Sequence, residues 1–322
     1  MVESKEIQRQ EEILSFRVRQ YLKGQGAGIE LRNALRKFEV EGCSAFMVGG
    51  FLRDLMLSGA SANPRDIDIV FDGTSADKVE FLFWNHKERK NRFGGMRLKM
   101  GDYPFDIWSL GDTWAFRNEK VHQIEFASFP KTTFLNIDAI AFKWGNASED
   151  KIFSNGFFES ILTRTLEINL EENPFPETCV VRSLMMASML NFGIGPKLAT
   201  YILRHSKTAS SKELQRIQNV HYGYVALDGE DLRSCFNAIE TQLSHSKTAT
   251  VFLPGRQLKL EEEKPRKKES NKKTFGMWFS KFVETAFVHM RPVRRLKNRL
   301  GNSRRPTINV LNVQPHWLEK RS

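Results

Sequence analysis

The chain has 322 residues, of which 40% are hydrophobic, and a formal net charge of +11. This length and composition suffice for the buried cores of about two domains. No uncharged run approaches the roughly 18 residues of a transmembrane helix, and the charged first residues are followed by no apolar segment typical of a secretory leader. Cys43, Cys179 and Cys235 are too few and too far apart for a disulfide framework or a zinc site. We therefore expect a cytoplasmic protein.

The predicted elements mix helices and strands up to about residue 144. Apolar residues recur at helical spacing over residues 3–41 and are interrupted by Gly24-Gln25-Gly26, which predicts two helices before the first strand. Strands are then predicted near 44–48, 66–71, 96–100, 104–109 and 136–144, with helices near 50–57 and 75–89. Residues 157–250 carry a largely helical pattern, and the proline-rich run 173–176 separates it from the α+β part.

The excess positive charge is confined to the C-terminal part of the chain. Residues 251–322 contain 18 Lys and Arg against 6 Asp and Glu, whereas residues 1–250 contain 31 against 32. This distribution predicts a basic arm on a nearly neutral body, as expected for a protein that binds a polyanion such as RNA. Aromatic residues from 275 to 287 recur at helical spacing. That pattern is typical of core packing, of RNA-base stacking or, with the basic residues up to 305, of peripheral membrane contact.

The most informative motif combines a glycine pair with two carboxylates one residue apart. Gly49 and Gly50 end an apolar stretch and open a helical pattern, so that backbone N–H groups at a helix N-terminus could face phosphate oxygens. Asp66 and Asp68 flank Ile67 in a strand pattern, whose period of two places both carboxylates on one face. Paired oxygen ligands suit Mg²⁺, and two such ions can clamp the reacting oxygens of a phosphoryl transfer. The motif therefore predicts a nucleoside-triphosphate site.

A family resemblance rests on this motif. Residues 48–54, Val-Gly-Gly-Phe-Leu-Arg-Asp, followed by Asp66-x-Asp68, resemble the first motif of the CCA-adding enzyme and bacterial poly(A) polymerase family, in the DNA polymerase β nucleotidyltransferase superfamily. Further similarity lies in the strand around Asp106, in residues 137–142 and in the helix that contains Arg182. The resemblance covers about residues 28 to 205.

The resemblance implies an α+β fold with a polymerase β-like nucleotidyltransferase head and a helical neck, to which the charge distribution adds a basic C-terminal arm. Together with the composition of the chain, the predicted boundaries are 1–41 for the N-terminal helices, 42–172 for the head, 173–254 for the neck and 255–322 for the linker, the aromatic helix and the basic tail. The implied reaction is the metal-dependent transfer of a nucleotide from an NTP to the 3′ end of tRNA or another RNA, with release of pyrophosphate.

Site residues and a cofactor follow from the same resemblance. The implied catalytic and metal-binding residues are Asp66, Asp68 and Asp106. The implied cofactor is a pair of Mg²⁺ ions, with Mn²⁺ as a substitute. The implied nucleotide-binding residues are Gly49, Gly50, Arg53 and Arg182.

Two motifs of the family are altered in this chain. Where the family carries Arg-Arg-Asp, the chain has Thr132-Thr133-Phe134, and the Asn that follows in the family is Asp138 here. The family's Glu-Asp-x-x-Arg, which selects C or A, is replaced by residues 175–179, Phe-Pro-Glu-Thr-Cys. A site without such hydrogen-bonding groups loses base discrimination, so ordered addition of C, C and A is not expected. Two alternatives stay open: a relative that modifies another acceptor in a stress, toxin–antitoxin or phage-defence system, and a catalytically inactive RNA-binding relative.

Overall fold

The computed structural model describes residues 2–90, 95–145 and 150–254. The predicted basic arm and its aromatic stripe, at 255–322, lie outside the described residues. The strands are β1 (Ser44–Val48), β2 (Ile67–Asp72), β3 (Lys87–Lys90), β4 (Met96–Met100), β5 (Tyr103–Ser109), β6 (Ile140–Lys143), β7 (Lys151–Ser154), β8 (Thr165–Leu166) and β9 (Gly193–Ile194). The α-helices are α1 (Ser4–Lys23), α2 (Ala27–Val40), α3 (Gly50–Ser58), α4 (Ala76–Leu82), α5 (Trp114–Arg117), α6 (Phe157–Thr163), α7 (Pro176–Leu190), α8 (Pro196–Ser206), α9 (Ser211–Tyr222) and α10 (Gly229–His245).

A seven-stranded mixed sheet forms the centre of the head, with the strand order β3-β4-β5-β2-β1-β6-β7. The central strands β2 and β5 run parallel, and the other neighbours pair antiparallel. Because side chains alternate along a strand, Ile67, Ile69 and Phe71 of β2 enter the main core. Val70 joins a smaller cluster on the other face, which Asp68 shares by the same alternation. The alternation therefore collects the polar residues of the central strands on one face.

The two N-terminal helices and α3 cover the apolar face of the sheet. Leu14, Val18 and Leu22 of α1 recur every four residues and are buried in the same cluster as the strands. Gly26, between α1 and α2, has a φ of 62°, and a Cβ there would come within 2.4 Å of the Tyr103 hydroxyl. The tight turn between the helices thus depends on glycine, and the N-terminal helices share one core with the sheet.

The neck is helical, as the pattern over 157–250 predicted. Its separate core joins α7 to α10 with the short strands β8 and β9. Gln218 is fully buried in α9, where its side chain donates to the carbonyl of Leu227 at 2.8 Å and accepts from the Leu227 N–H at 2.9 Å. This pair of bonds fixes the connection between α9 and α10 against the helix that precedes it.

The predicted elements differ from the structure at three places. The helix predicted over 75–89 is wrong beyond Leu82, because a single 3-10 turn follows and residues 87–90 form the edge strand β3. Four successive charged residues in β3 conceal its strand character and suit an exposed sheet edge. The strand predicted over 136–144 begins only at Ile140, since residues 136–138 form a 3-10 turn. At the third, strand β7 was not predicted, and neither were the short elements α5, β8 and β9. The domain boundaries stay a prediction.

Candidate active site

The glycine pair forms the turn from β1 into α3. Gly49 has a φ of 65° and precedes the first helical residue, Gly50. Its carbonyl accepts the N–H of Leu52 at 3.1 Å and of Arg53 at 3.2 Å. A Cβ on Gly49 would lie 4.0 Å from Oδ2 of Asp68, so the first turn of the helix, which has backbone N–H groups without intrahelical partners, lies beside that carboxylate. The structure therefore places the predicted phosphate turn and the predicted carboxylates next to each other.

Replacing Gly49 by Ala should destabilise the protein by about 1–2 kcal/mol, because an L-residue is strained at positive φ. We also expect weaker nucleotide binding, since the turn would move away from Asp68. Gly42→Ala is the matched control, because Gly42 has a φ of 68° with open space around it at the opposite end of β1. Urea denaturation and nucleotide titration of both variants would separate the effects. Equal nucleotide affinity in the two variants would contradict a binding role for the turn.

A row of directly opposite residues crosses the central strands. Arg97 of β4 pairs with Asp106 of β5, Asp106 with Asp68 of β2, and Asp68 with Val48 of β1. Residues opposite each other on neighbouring strands project to the same face of a sheet. Asp66 comes two residues before Asp68, and its Oδ2 atom lies 3.6 Å from Nη1 of Arg97. The structure therefore brings together the three carboxylates that the sequence indicated.

The carboxylates repel one another in a partly buried environment. Burial, followed by the charges of Asp66 and Asp106, raises the pKa of Asp68 well above its ordinary value. Burial also raises the pKa of Asp106 to about 6, although the Arg97 guanidinium acts in the opposite direction. Asp106 is only 2% exposed, and its Oδ1 atom has no hydrogen-bond partner among the described residues. A positive charge placed beside these buried carboxylates would stabilise their ionised form.

Arg97 is a site residue that the sequence patterns did not indicate. It is 8% exposed and forms an ion pair with Oδ2 of Asp106. Its position in an alternating strand, between the buried Met96 and Leu98, is the signal that could have found it. The strand period places Arg97 on the polar face, but only the register with β5 shows its partner.

Oxygen ligands of this type suit a hard divalent cation. Asp66 and Asp68 supply such oxygens beside the glycine turn, and Oδ1 of Asp106 is a buried acceptor without a hydrogen-bond partner among the described residues. Within the described ranges, however, no group of three or more His, Cys, Asp or Glu side chains is arranged to hold a metal ion. The donors thus fit a cation at Asp66 and Asp68, whereas Asp106 is paired with Arg97.

A second charged cluster links the helix after the glycine turn to the first neck helix. Asp138 accepts hydrogen bonds from Nη1 of Arg53 at 2.6 Å and from Nη2 of Arg182 at 2.6 Å. Arg53 also donates to Oδ1 of Asp54 at 2.8 Å. Although burial pushes the pKa of Asp138 upwards, the Arg182 and Arg53 guanidiniums outweigh it and hold the pKa below its usual range. Both predicted nucleotide-binding arginines therefore have their positions set by one buried carboxylate.

The altered motifs have structural roles of their own. The hydroxyl of Thr132 donates to the Phe129 carbonyl at 2.7 Å, and that of Thr133 donates to the Pro130 carbonyl at 3.1 Å. Both threonines thus stabilise a local turn. In the segment that replaces the base-selecting motif, Cys179 is buried in the neck core. Burial raises the pKa of its thiol to about 12, so Cys179 offers no charged group to a base.

Comparison with known proteins gives a likeness in structure alone. The chain matches no family model and no curated protein sequence. The CCA-adding enzyme of Thermotoga maritima complexed with tRNA_CCA superposes with a TM-score of 0.50 at 14% identity, covering 71% of this chain and 53% of that one. A CCA-adding enzyme with CTP gives a TM-score of 0.49 at 16% identity over 63% and 50% of the two chains. A tRNA nucleotidyltransferase with a primer tRNA and an incoming ATP analog gives 0.47 at 18% identity over 66% and 60%.

The architecture is thus that of a nucleotidyltransferase head followed by a helical neck. More narrowly, the chain has the head fold of the CCA-adding enzymes, which confirms the predicted α+β class with a nucleotidyltransferase head. The chain spans between 50% and 60% of the length of the solved structures named above.

Proposed function

We propose that the protein is a metal-dependent nucleotidyltransferase that transfers a nucleotide from an NTP to the 3′ end of an RNA and releases pyrophosphate. The observation that carries the proposal is the position of the Gly49 turn beside Asp68. A Cβ atom added to Gly49 would lie 4.0 Å from Oδ2 of Asp68. A triphosphate bound at the helix N-terminus would have its phosphates beside the carboxylates. The Thermotoga maritima CCA-adding enzyme of similar fold is complexed with tRNA_CCA, which supports the choice of an RNA as acceptor.

Each residue has a distinct role in this proposal. Gly49 and Gly50 bind phosphate oxygens through the backbone, and Arg53 neutralises triphosphate charge from the same helix. Asp66 and Asp68 hold Mg²⁺ or Mn²⁺. When bound, the metal lowers the pKa of the attacking hydroxyl and stabilises the negative charge on the leaving pyrophosphate. The pair of Mg²⁺ ions with Asp106 as a third ligand stays a prediction.

Arg182 contacts the nucleotide from the neck in this proposal. Its side chain is 37% exposed, whereas that of Arg53 is 13% exposed. Arg182 can therefore reach a bound nucleotide while one of its nitrogens remains on Asp138. Because Asp138 touches both arginines, it fixes the distance between the phosphate-binding helix and the neck.

The direct test is incorporation of labelled nucleotide into RNA. Purified full-length protein is incubated with each α-labelled NTP in turn, total RNA, and Mg²⁺ or Mn²⁺, and the RNA is separated on a denaturing gel. We expect label in RNA with at least one NTP, and no label with a variant in which Asp66 and Asp68 are both replaced by Asn. Absence of label under every condition, or equal label from the double variant, would contradict the proposal.

Nucleotide choice is expected to be relaxed or to be set by residues outside the 175–179 segment. Polar recognition of a base supplies about 10⁴- to 10⁵-fold discrimination, whereas shape alone supplies about 10²-fold. The measurement uses a tRNA transcript without its CCA end, supplied with CTP and ATP, and sequences the 3′ ends produced. Faithful restoration of CCA would show that this prediction is wrong.

A nucleotide- or RNA-binding protein without catalysis is the second candidate. The ion pair between Arg97 and Asp106 favours it, because a carboxylate engaged in this way is not available to a metal. In that case nucleotide titration would show binding, while the incorporation assay would show no label with any NTP.

A further inference from the structure

The guanidinium of Arg97 lies between two of the three carboxylates of the site. One of its nitrogens forms the ion pair with Oδ2 of Asp106 and lies 3.6 Å from Oδ2 of Asp66. The pairing is fixed by the sheet, because Arg97 and Asp106 are opposite each other on antiparallel neighbours. With 8% of Arg97 exposed, the positive charge is held inside the site and does not extend into solvent.

A second cation between Asp66 and Asp106 would have to lie next to this guanidinium. Two like charges about 4 Å apart repel strongly when water is largely excluded. The same cation would also have to displace Arg97 from Asp106, leaving a buried guanidinium without its partner. At Asp68 the situation differs, because no described residue forms an ion pair with its carboxylate and the glycine turn lies beside it.

The charge of the site also favours one cation at Asp66 and Asp68 and none at Asp106. Two guanidiniums offset the three carboxylates, that of Arg97 and that of Arg65, which forms an ion pair with Oδ2 of Asp66 at 3.3 Å. One excess negative charge is left, which a single divalent cation would more than neutralise. A second divalent cation would add further positive charge to a partly buried site. The excess lies towards Asp68, because both Asp66 and Asp106 form ion pairs with arginines.

We infer that Arg97 stands in the place of a second metal ion, so that the site holds one divalent cation, bound by Asp66 and Asp68, while Asp106 is bound by Arg97. This inference rests on the proposed function, because it concerns the metal of the proposed reaction. Arg97 then supplies a fixed positive charge beside Asp106. In a site with two bound ions, the second ion would supply that charge.

The test is a count of bound ions with full-length protein and Mn²⁺, whose free form is quantified by electron paramagnetic resonance. Only sites that disappear in the Asp66→Asn, Asp68→Asn double variant are counted, which removes weak binding elsewhere on the chain. We expect one such ion in the wild-type protein and two in Arg97→Gln. Lys99→Gln is the matched control, because Lys99 lies on the same strand and the same side but is exposed and near Asp102. It should retain one ion.

Two ions in the wild-type protein would overturn the inference and leave the proposed function standing, provided that label is incorporated into RNA. No bound ion in the wild-type protein would overturn the inference, and absence of label as well would overturn the proposed function. If Arg97→Gln fails to fold, as judged by circular dichroism, Asp106→Asn decides. Retention of one ion in Asp106→Asn supports the inference, and loss of that ion overturns it, since Asp106 would then be a ligand.

Discussion

Replacing Asp66 and Asp68 together by Asn is expected to lower nucleotide transfer by about 10³-fold or more and to leave the protein folded. A bound metal ion stabilises transition-state charge by several kcal/mol, and each ~1.4 kcal/mol corresponds to a tenfold change in rate. The fold should tolerate the change because burial and the neighbouring charges raise the pKa of Asp68, so that removing two negative charges relieves repulsion. Label incorporation measures the activity, and thermal denaturation measures the stability.

Asp72→Asn is the control for this experiment. Asp72 ends the same strand on the same side as Asp68, but it is exposed and lies opposite Ser44, far from the glycine turn. Its replacement should change neither transfer nor melting temperature, since exposed substitutions away from special contacts have effects within about 0.5 kcal/mol. If the Asp66, Asp68 double variant transferred nucleotide at more than a tenth of the control rate, the two carboxylates would not be required for the reaction.

The parts of the site that could be predicted from the sequence depend on short-range geometry. A glycine pair between an apolar stretch and a helical pattern specifies a strand-to-helix turn, and Gly49 has the positive φ that this turn requires. The strand period placed Asp66 and Asp68 on one side without knowledge of any neighbouring strand. Both inferences involve residues only a few positions apart. The same holds for β1 and β4, whose predicted bounds, 44–48 and 96–100, are confirmed.

The parts that could not be predicted depend on which strands and helices become neighbours. Arg97 faces Asp106 only because β4 and β5 pair in one register, and a shift by one residue would place Arg97 on the apolar face. Asp138 lies 85 residues from Arg53 and 44 from Arg182 along the chain. The sequence showed Asp138 as a departure from the family pattern, but the two ion pairs that give this departure a role require the packing of the neck against the head.

Replacing Asp138 by Ala is expected to have a large effect on stability. Its side chain is 9% exposed and bonds the guanidiniums of Arg53 and Arg182, and the side chain of Arg53 is 13% exposed. Removing one member of a buried ion pair typically costs about 3–5 kcal/mol, because the remaining charges stay buried without a partner. We expect Asp138→Ala to lower the free energy of unfolding by about 3 kcal/mol, near the lower limit, since Arg182 is 37% exposed and can turn towards water.

Asp150→Ala is the matched control for Asp138→Ala. Asp150 is buried to a similar extent, with 8% of its side chain exposed, but among the described residues it forms an ion pair with one arginine, Arg19 at 2.7 Å, and accepts the Gly145 N–H at 3.0 Å. Asp150→Ala should lower the free energy of unfolding by less than Asp138→Ala does. Urea denaturation of both variants gives this difference, which measures the contribution of the second arginine at Asp138. A loss for Asp138→Ala no larger than that for Asp150→Ala would mean that the bridge between head and neck adds nothing to stability.

The pH dependence of Asp138→Asn distinguishes the charge of Asp138 from its hydrogen bonds. Because the two guanidiniums hold the pKa of Asp138 below its ordinary value, the stabilisation is fully present above the unfolded-state pKa of about 4 and is lost as the pH falls through the folded-state value. Asn keeps an acceptor oxygen but carries no charge at any pH. The wild-type protein should therefore exceed Asp138→Asn in stability at neutral pH, and the difference should shrink steadily below about pH 4. A constant difference from pH 7 to pH 3 would show that Asp138 acts through shape and hydrogen bonding and not through its charge.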